Sequence, residues 1–132
     1  MASHTTTAAP GGITFLRTAA ALQALTLFFQ AATAGALLAG EAGGTLHHAG
    51  SRVMYGATML YVVAAVLGWR PGGGSRRPVL YSAGFLVLAS VQVVLGIAHL
   101  SAWHVPLGVL MFGLSTLAFA QSVLPGRARA RS

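Results

Sequence analysis

The chain has 132 residues, 55% of them hydrophobic and only 7% charged, with a formal net charge of +7 and no cysteine. A soluble domain carries about a quarter charged residues, so this chain lacks the polar surface to coat itself in water, and the lipid bilayer is the expected partner. Every basic residue is an arginine and Glu41 is the only acid; without a basic stripe interleaved with aromatics, nucleic acid is not an expected partner, and disulfides, thiolate catalysis and Cys-ligated metal centres are excluded.

A helix crossing the hydrocarbon core needs about 20 apolar residues, and the sequence predicts four such spans, at about 13–40, 53–69, 78–100 and 103–124. Residues 1–12 read as a flexible N-terminal tail and 125–132 as a basic C-terminal tail. The first span follows Arg17. A cleavable signal peptide ending at Ala32-Thr33-Ala34 is the rival reading, but the apolar run continues past Ala34 to Leu38. Between the second and third spans, Arg70-Pro71-Gly72-Gly73-Gly74-Ser75-Arg76-Arg77-Pro78 ends one helix and admits the next. His99-Leu100-Ser101-Ala102-Trp103 leaves so little chain that the last two helices must form an antiparallel hairpin. The fold class expected is therefore all-α, an integral membrane four-helix bundle of two similar helical hairpins.

Four crossings put Arg17, Arg70, Arg76, Arg77, Arg127, Arg129 and Arg131 on one side and Arg52 alone on the other. The positive-inside rule then predicts cytoplasmic N- and C-termini in a bacterial-type plasma membrane. Glu41, His47, His48, Arg52, His99 and His104 gather at the outer face by topology alone. Trp69 and Trp103 fit aromatic belts at the two interfaces.

The sequence also repeats. His47 with Met54-Tyr55-Gly56-Ala57-Thr58-Met59-Leu60 lies over His104 with Met111-Phe112-Gly113-Leu114-Ser115-Thr116-Leu117 at a constant offset of 57 positions. Gln30 and Gln92 precede them near the ends of the first and third spans. Each hairpin thus carries a glutamine late in its first helix and a histidine at the start of its second. Two copies running the same way are related by an axis along the membrane normal, which brings His47 and His104 to one depth.

Histidine inside a membrane is costly and usually functional. Gly50 and Ser51 beside His47, and Gly108 beside His104, share a helix face with their imidazoles and predict a shallow groove where a flat macrocycle could lie. Close helix packing through small residues is the simpler account of the same pattern. Zinc needs three or four ligands, for which His47, His48, His99, His104 and Glu41 are the candidates. A bis-histidine haem needs one imidazole on each side of the iron, which the repeat supplies more naturally. On this reading the metal ligands are His47 and His104, and the cofactor is haem b. Arg52 is a partner for a haem propionate or a plain interfacial anchor. His99 is an alternative ligand, a supporting residue, or an interface residue bonded to its turn. His48 points about 100° away from His47, towards water or the loop; His4 has no assigned role.

Gln92-Val93-Val94-Leu95-Gly96 followed by Trp103-His104-Val105-Pro106-Leu107-Gly108 resembles the second hairpin of one half of the haem A synthase family, and the resemblance spans most of 30–121. It implies a four-helix half with histidine ligands from its second and fourth helices, matching His47 and His104, and a functional glutamate matching Glu41. The family sets that glutamate about three residues before its histidine and an arginine directly after it. Here Glu41 stands six ahead and Arg52 five behind. The chain is half the family's length, and a homodimer would restore eight helices. The expected function is a small b-type haem protein in electron transfer or haem handling, the resemblance implying haem A synthase-like oxidoreductase chemistry at Glu41. The alternative is a haem-free scaffold or assembly subunit of a larger respiratory-type membrane complex. A small efflux transporter fits less well, because such proteins bury an acid within the first helix, whereas Glu41 lies at its end.

Overall fold

The computed structural model describes residues 10–124, and among these it is all helix and turn: α1 (Pro10–Leu38), α2 (Gly44–Trp69), α3 (Arg77–Ile97) and α4 (Ser101–Val123). Both expected tails lie mostly outside the described residues, as do His4, Arg127, Arg129 and Arg131, although 10–12 already belong to α1. All four helices are long and apolar enough to cross a membrane, which marks the chain as a membrane protein.

Each boundary has a local cause. Pro10 opens α1 and Pro78 lies in the first turn of α3, positions where the missing N–H would be unsatisfied in any case. Gly40 ends α1 at φ 80°. There the Glu41 N–H reaches the Ala36 carbonyl at 2.9 Å and the Gly40 N–H reaches Leu37 at 3.1 Å. The end of α3 repeats this closure with His99 in the left-handed position, φ 54°: Leu100 N–H bonds Leu95 at 3.0 Å and His99 N–H bonds Gly96 at 3.2 Å. α2 begins at Gly44 rather than near 53. Its polar first turns are helical although they lie outside the apolar run that marks the span.

Around the bundle, α1 packs on α2 and α4, and α3 packs on α2 and α4, while the diagonal pairs stay apart. The start of α1 meets the end of α4, where Arg17 Nε donates to the Ser122 carbonyl at 2.7 Å. Two interior clusters follow from one end to the other: Leu27, Met54, Phe85, Ala89 and Met111, then Ala19, Ala20, Tyr61 and Ala64.

The distribution of polarity is inverted relative to a soluble protein. Gln23, Thr58, Ser82 and Ser115 are buried, whereas Leu80, Val109 and Leu25 are 73%, 67% and 63% exposed. The interior serine and threonine hydroxyls are satisfied locally: Thr58 donates to Met54 O at 3.0 Å, Ser82 to Val79 O at 3.1 Å and Ser115 to Phe112 O at 3.1 Å, whereas Tyr81 Oη is buried without a partner among the described residues. Gln23 Nε2 ties α1 to α2 by donating to Thr58 Oγ1 at 3.3 Å. In lipid no hydrophobic drive joins the helices, so packing and such polar ties hold them. Phe85, buried at 2% exposure, should therefore show mainly the packing part of a truncation cost. Phe85→Ala is expected to lower stability in detergent by about 2 kcal/mol, below the 3–5 typical of a soluble core, as read from thermal or denaturant unfolding. A loss of 5 kcal/mol or none at all would contradict this packing.

Candidate functional site: a histidine pair held by two glutamines

His47 and His104 are each the fourth residue of their helix, and each donates its backbone N–H to the residue preceding that helix: His47 to Gly43 O and His104 to Leu100 O, both at 2.9 Å. Equal position on two helices of like direction brings the rings together across the bundle diagonal. Their centroids are 6.1 Å apart with planes at 71°. Burial repeats as well: Met54 and Met111 are buried at 3% and 0%, Thr58 and Ser115 at 0% and 1%.

A glutamine from the preceding helix holds each histidine's backbone. Gln30 Nε2 donates to the His47 carbonyl at 3.2 Å, and Gln92 Nε2 donates to the His104 carbonyl at 2.7 Å. A helical carbonyl is normally screened from a neighbouring helix by the side chains three and four residues on. Here those positions include Gly50 and Gly108. A methyl group on Gly50 would collide with Gln30 Nε2 and lie 2.7 Å from Phe29 Cε1, and one on Gly108 would lie 2.8 Å from Gln92 Nε2. The clearance expected for a flat macrocycle beside these glycines is thus occupied by the amides.

The imidazoles are oriented through Nδ1. His104 Nδ1 lies 3.0 Å from the Gln92 carbonyl, which can only accept, so Nδ1 carries the proton. His47 Nδ1 lies 2.9 Å from Thr33 Oγ1. The Thr33 hydroxyl is itself directed at the Phe29 and Gln30 carbonyls, at 3.0 and 3.1 Å, so His47 Nδ1–H donates to it. Both rings are thus anchored through Nδ1, and Nε2 of each makes no hydrogen bond among the described residues. This is the state in which histidine binds a metal, its other nitrogen anchored to a carbonyl or hydroxyl. The His104 ring also rests on Gly96, where a methyl group would lie 3.1 Å from Cε1. Gln92 Oε1 is buried with no hydrogen-bond partner, an open acceptor beside His104.

The other sequence candidates lie elsewhere. Arg52 is about 140° around α2 from His47 at 100° per residue. With His48 it lines a cleft towards α3. His99 is exposed in the turn and takes the left-handed position that ends α3. The Glu41 backbone closes α1, and its side chain is exposed and in no ion pair among the described residues. Among the described residues no three of His, Asp and Glu form a metal-ligating group, so the zinc set weighed from the sequence does not assemble. Thr33 is the participant that sequence reading missed; the only trace was a hydroxyl one turn after Gln30.

Searches of family models, of curated proteins and of solved structures return no match to this chain.

The amide-to-carbonyl arrangement predicts a contrast between two glycines. Gly50→Ala is expected to lower stability by about 1–3 kcal/mol through overpacking. Gly56→Ala, which meets nothing within 4 Å, should be neutral or gain up to about 1 kcal/mol of helix propensity. Unfolding of the two variants side by side checks this, and equal stabilities would contradict the placement of Gln30.

Proposed function

We propose that the chain is a small integral membrane haem protein in which His47 and His104 are the axial ligands of one b-type haem. The observation carrying this reading is the pair of facing imidazoles, each anchored through Nδ1 and leaving Nε2 for a ligand. A ring centre lies about 3.1 Å from a metal bound at the usual histidine distance, so two rings sharing one ion stand about 6 Å apart. The spacing of 6.1 Å and the donor chemistry both fit such an iron.

When bound, a bis-histidine haem supplies a one-electron couple tuned by burial and by hydrogen bonds to its ligands. What this chain supplies is orientation. Thr33 and the Gln92 carbonyl hold each ring in one tautomer, Gln30 and Gln92 fix the helix turns that carry the rings, and Met54 and Met111 close the interior beneath them. The neighbouring glycine clearances already hold the amides, so a haem would be held through His47 and His104 rather than in the grooves beside them. The function that follows is electron transfer or haem handling. The haem A synthase-like chemistry implied by the sequence resemblance has less support, because Glu41 stands in the α1–α2 turn as a helix-closing residue. His99 likewise acts as a turn residue in this reading.

Two related hairpins and the arginine distribution complete the proposal. Arg17, Arg70, Arg76 and Arg77 stand at one end of the bundle, which the positive-inside rule assigns to the cytoplasm, leaving the histidine pair near the outer face.

Purification in detergent with haem supplied, followed by absorption spectra of the oxidised and reduced protein, tests the proposal. We expect a Soret band and sharp reduced α and β bands, with both His47→Ala and His104→Ala shifting the protein to a five-coordinate spectrum or losing haem. Absence of a Soret band from the folded wild type, or an unchanged spectrum in the double variant, would rule it out.

A further inference from the structure

Separate from the histidine pair, a cleft of about 540 Å³ opens between α2 and α3. His48, Arg52 and Tyr55 line it from one side, and Ser90, Val93 and Ile97 from the other. Its floor is electrically quiet. Tyr55 Oη and Ser90 Oγ bond each other at 3.0 Å, and Ser90 Oγ donates to Leu86 O at 2.9 Å. Its outer wall is apolar, with Ile97 74% exposed.

Arg52 is the unusual member. It is the only cation among the described residues at this end of the bundle, and it makes no hydrogen bond or ion pair with any of them. α2 has 26 residues, about 39 Å at 1.5 Å each, against about 30 Å of hydrocarbon. Arg52 is its ninth residue, about 12 Å from the helix start. Its Cα therefore lies below the headgroups, and its guanidinium has to reach up along the cleft. Among the described residues no carboxylate pairs with it, and Glu41 is the only acidic side chain in the sequence.

We propose that this cleft binds one acidic phospholipid. The phosphate pairs with Arg52 beside His48, and an acyl chain follows the apolar wall at Val93 and leaves between the helices. Charge complementarity selects the acidic class, since a zwitterionic headgroup brings its own cation and gains less from an unpaired guanidinium. The proposal requires a membrane protein but not a haem.

Native mass spectrometry of the full chain, released from detergent with equal amounts of phosphatidylglycerol and phosphatidylcholine, tests it. Wild type should retain phosphatidylglycerol about fivefold over phosphatidylcholine, the preference one arginine near an anionic headgroup provides. Arg52→Gln should bring that ratio to about one. Ile97→Trp, which fills the cleft and leaves the charge in place, should lower phosphatidylglycerol retention while helicity by circular dichroism stays constant. Equal retention of both lipids by wild type, or a preference that survives both substitutions, overturns the proposal. So does an Arg52→Gln protein that keeps its lipid preference and loses haem absorption, for the cation would then serve the macrocycle's carboxylates. A His47→Ala protein without haem and with its lipid preference intact supports the lipid site and isolates it from the haem reading.

Discussion

Within a bilayer a polar group that leaves water must find its partner inside the protein, and here that constraint falls on two glutamine amides. Gln30 and Gln92 each reach across to the backbone carbonyl of a histidine on the next helix. The reach is short because Gly50 and Gly108 present no side chain in the way. The rest of the histidine end depends on these two bonds. They set the depth of α2 against α1 and of α4 against α3, and so bring His47 and His104 to the same level. Apolar faces slide freely in a solvent as apolar as themselves, so these bonds, with the Nδ1 contacts and the Gln23–Thr58 tie, fix the register of the 6.1 Å approach of the rings.

The same economy explains the rest of the interior. Leucine and valine turned outward cost nothing in lipid, whereas the buried serine and threonine hydroxyls are returned to carbonyls one turn back. Thr58, Ser82 and Ser115 do so within their own helices, while Gln23 to Thr58 ties α1 to α2 and Tyr55 to Ser90 ties α2 to α3. The interior is thus quiet around Met54 and Met111 and becomes chemically capable only at the level of the histidines. There Gln92 Oε1 remains an open acceptor, and Nε2 of each histidine makes no hydrogen bond among the described residues.

Much of this was legible in the chain. Length and hydropathy gave four helices, and the 57-residue offset picked out His47 and His104 from five histidines before any coordinates placed them together. The misjudged start of α2 has a clear cause. A span read from apolar runs stops at the first polar residues, yet His47, His48, Ser51 and Arg52 continue the same helix. Gly50 and Gly108 were seen as small but assigned to a ligand groove, because a sequence cannot show that a glutamine on another helix fills the gap. His99 looked like a ligand, and only backbone torsion reveals it as a helix terminator in the place where Gly40 ends α1. Thr33 was invisible because its partner lies 14 residues away across a turn whose geometry the sequence does not specify.

The central claim is that both imidazoles meet one iron, and the 71° between their planes makes it directly measurable. Near-perpendicular axial imidazoles leave the ferric d orbitals close in energy, which produces a strongly anisotropic low-spin signal in electron paramagnetic resonance. The account predicts that signal from the oxidised, haem-loaded protein at low temperature, and its loss in either single histidine variant. A high-spin ferric signal from the wild type, or a low-spin signal that persists after His104→Ala, would contradict it.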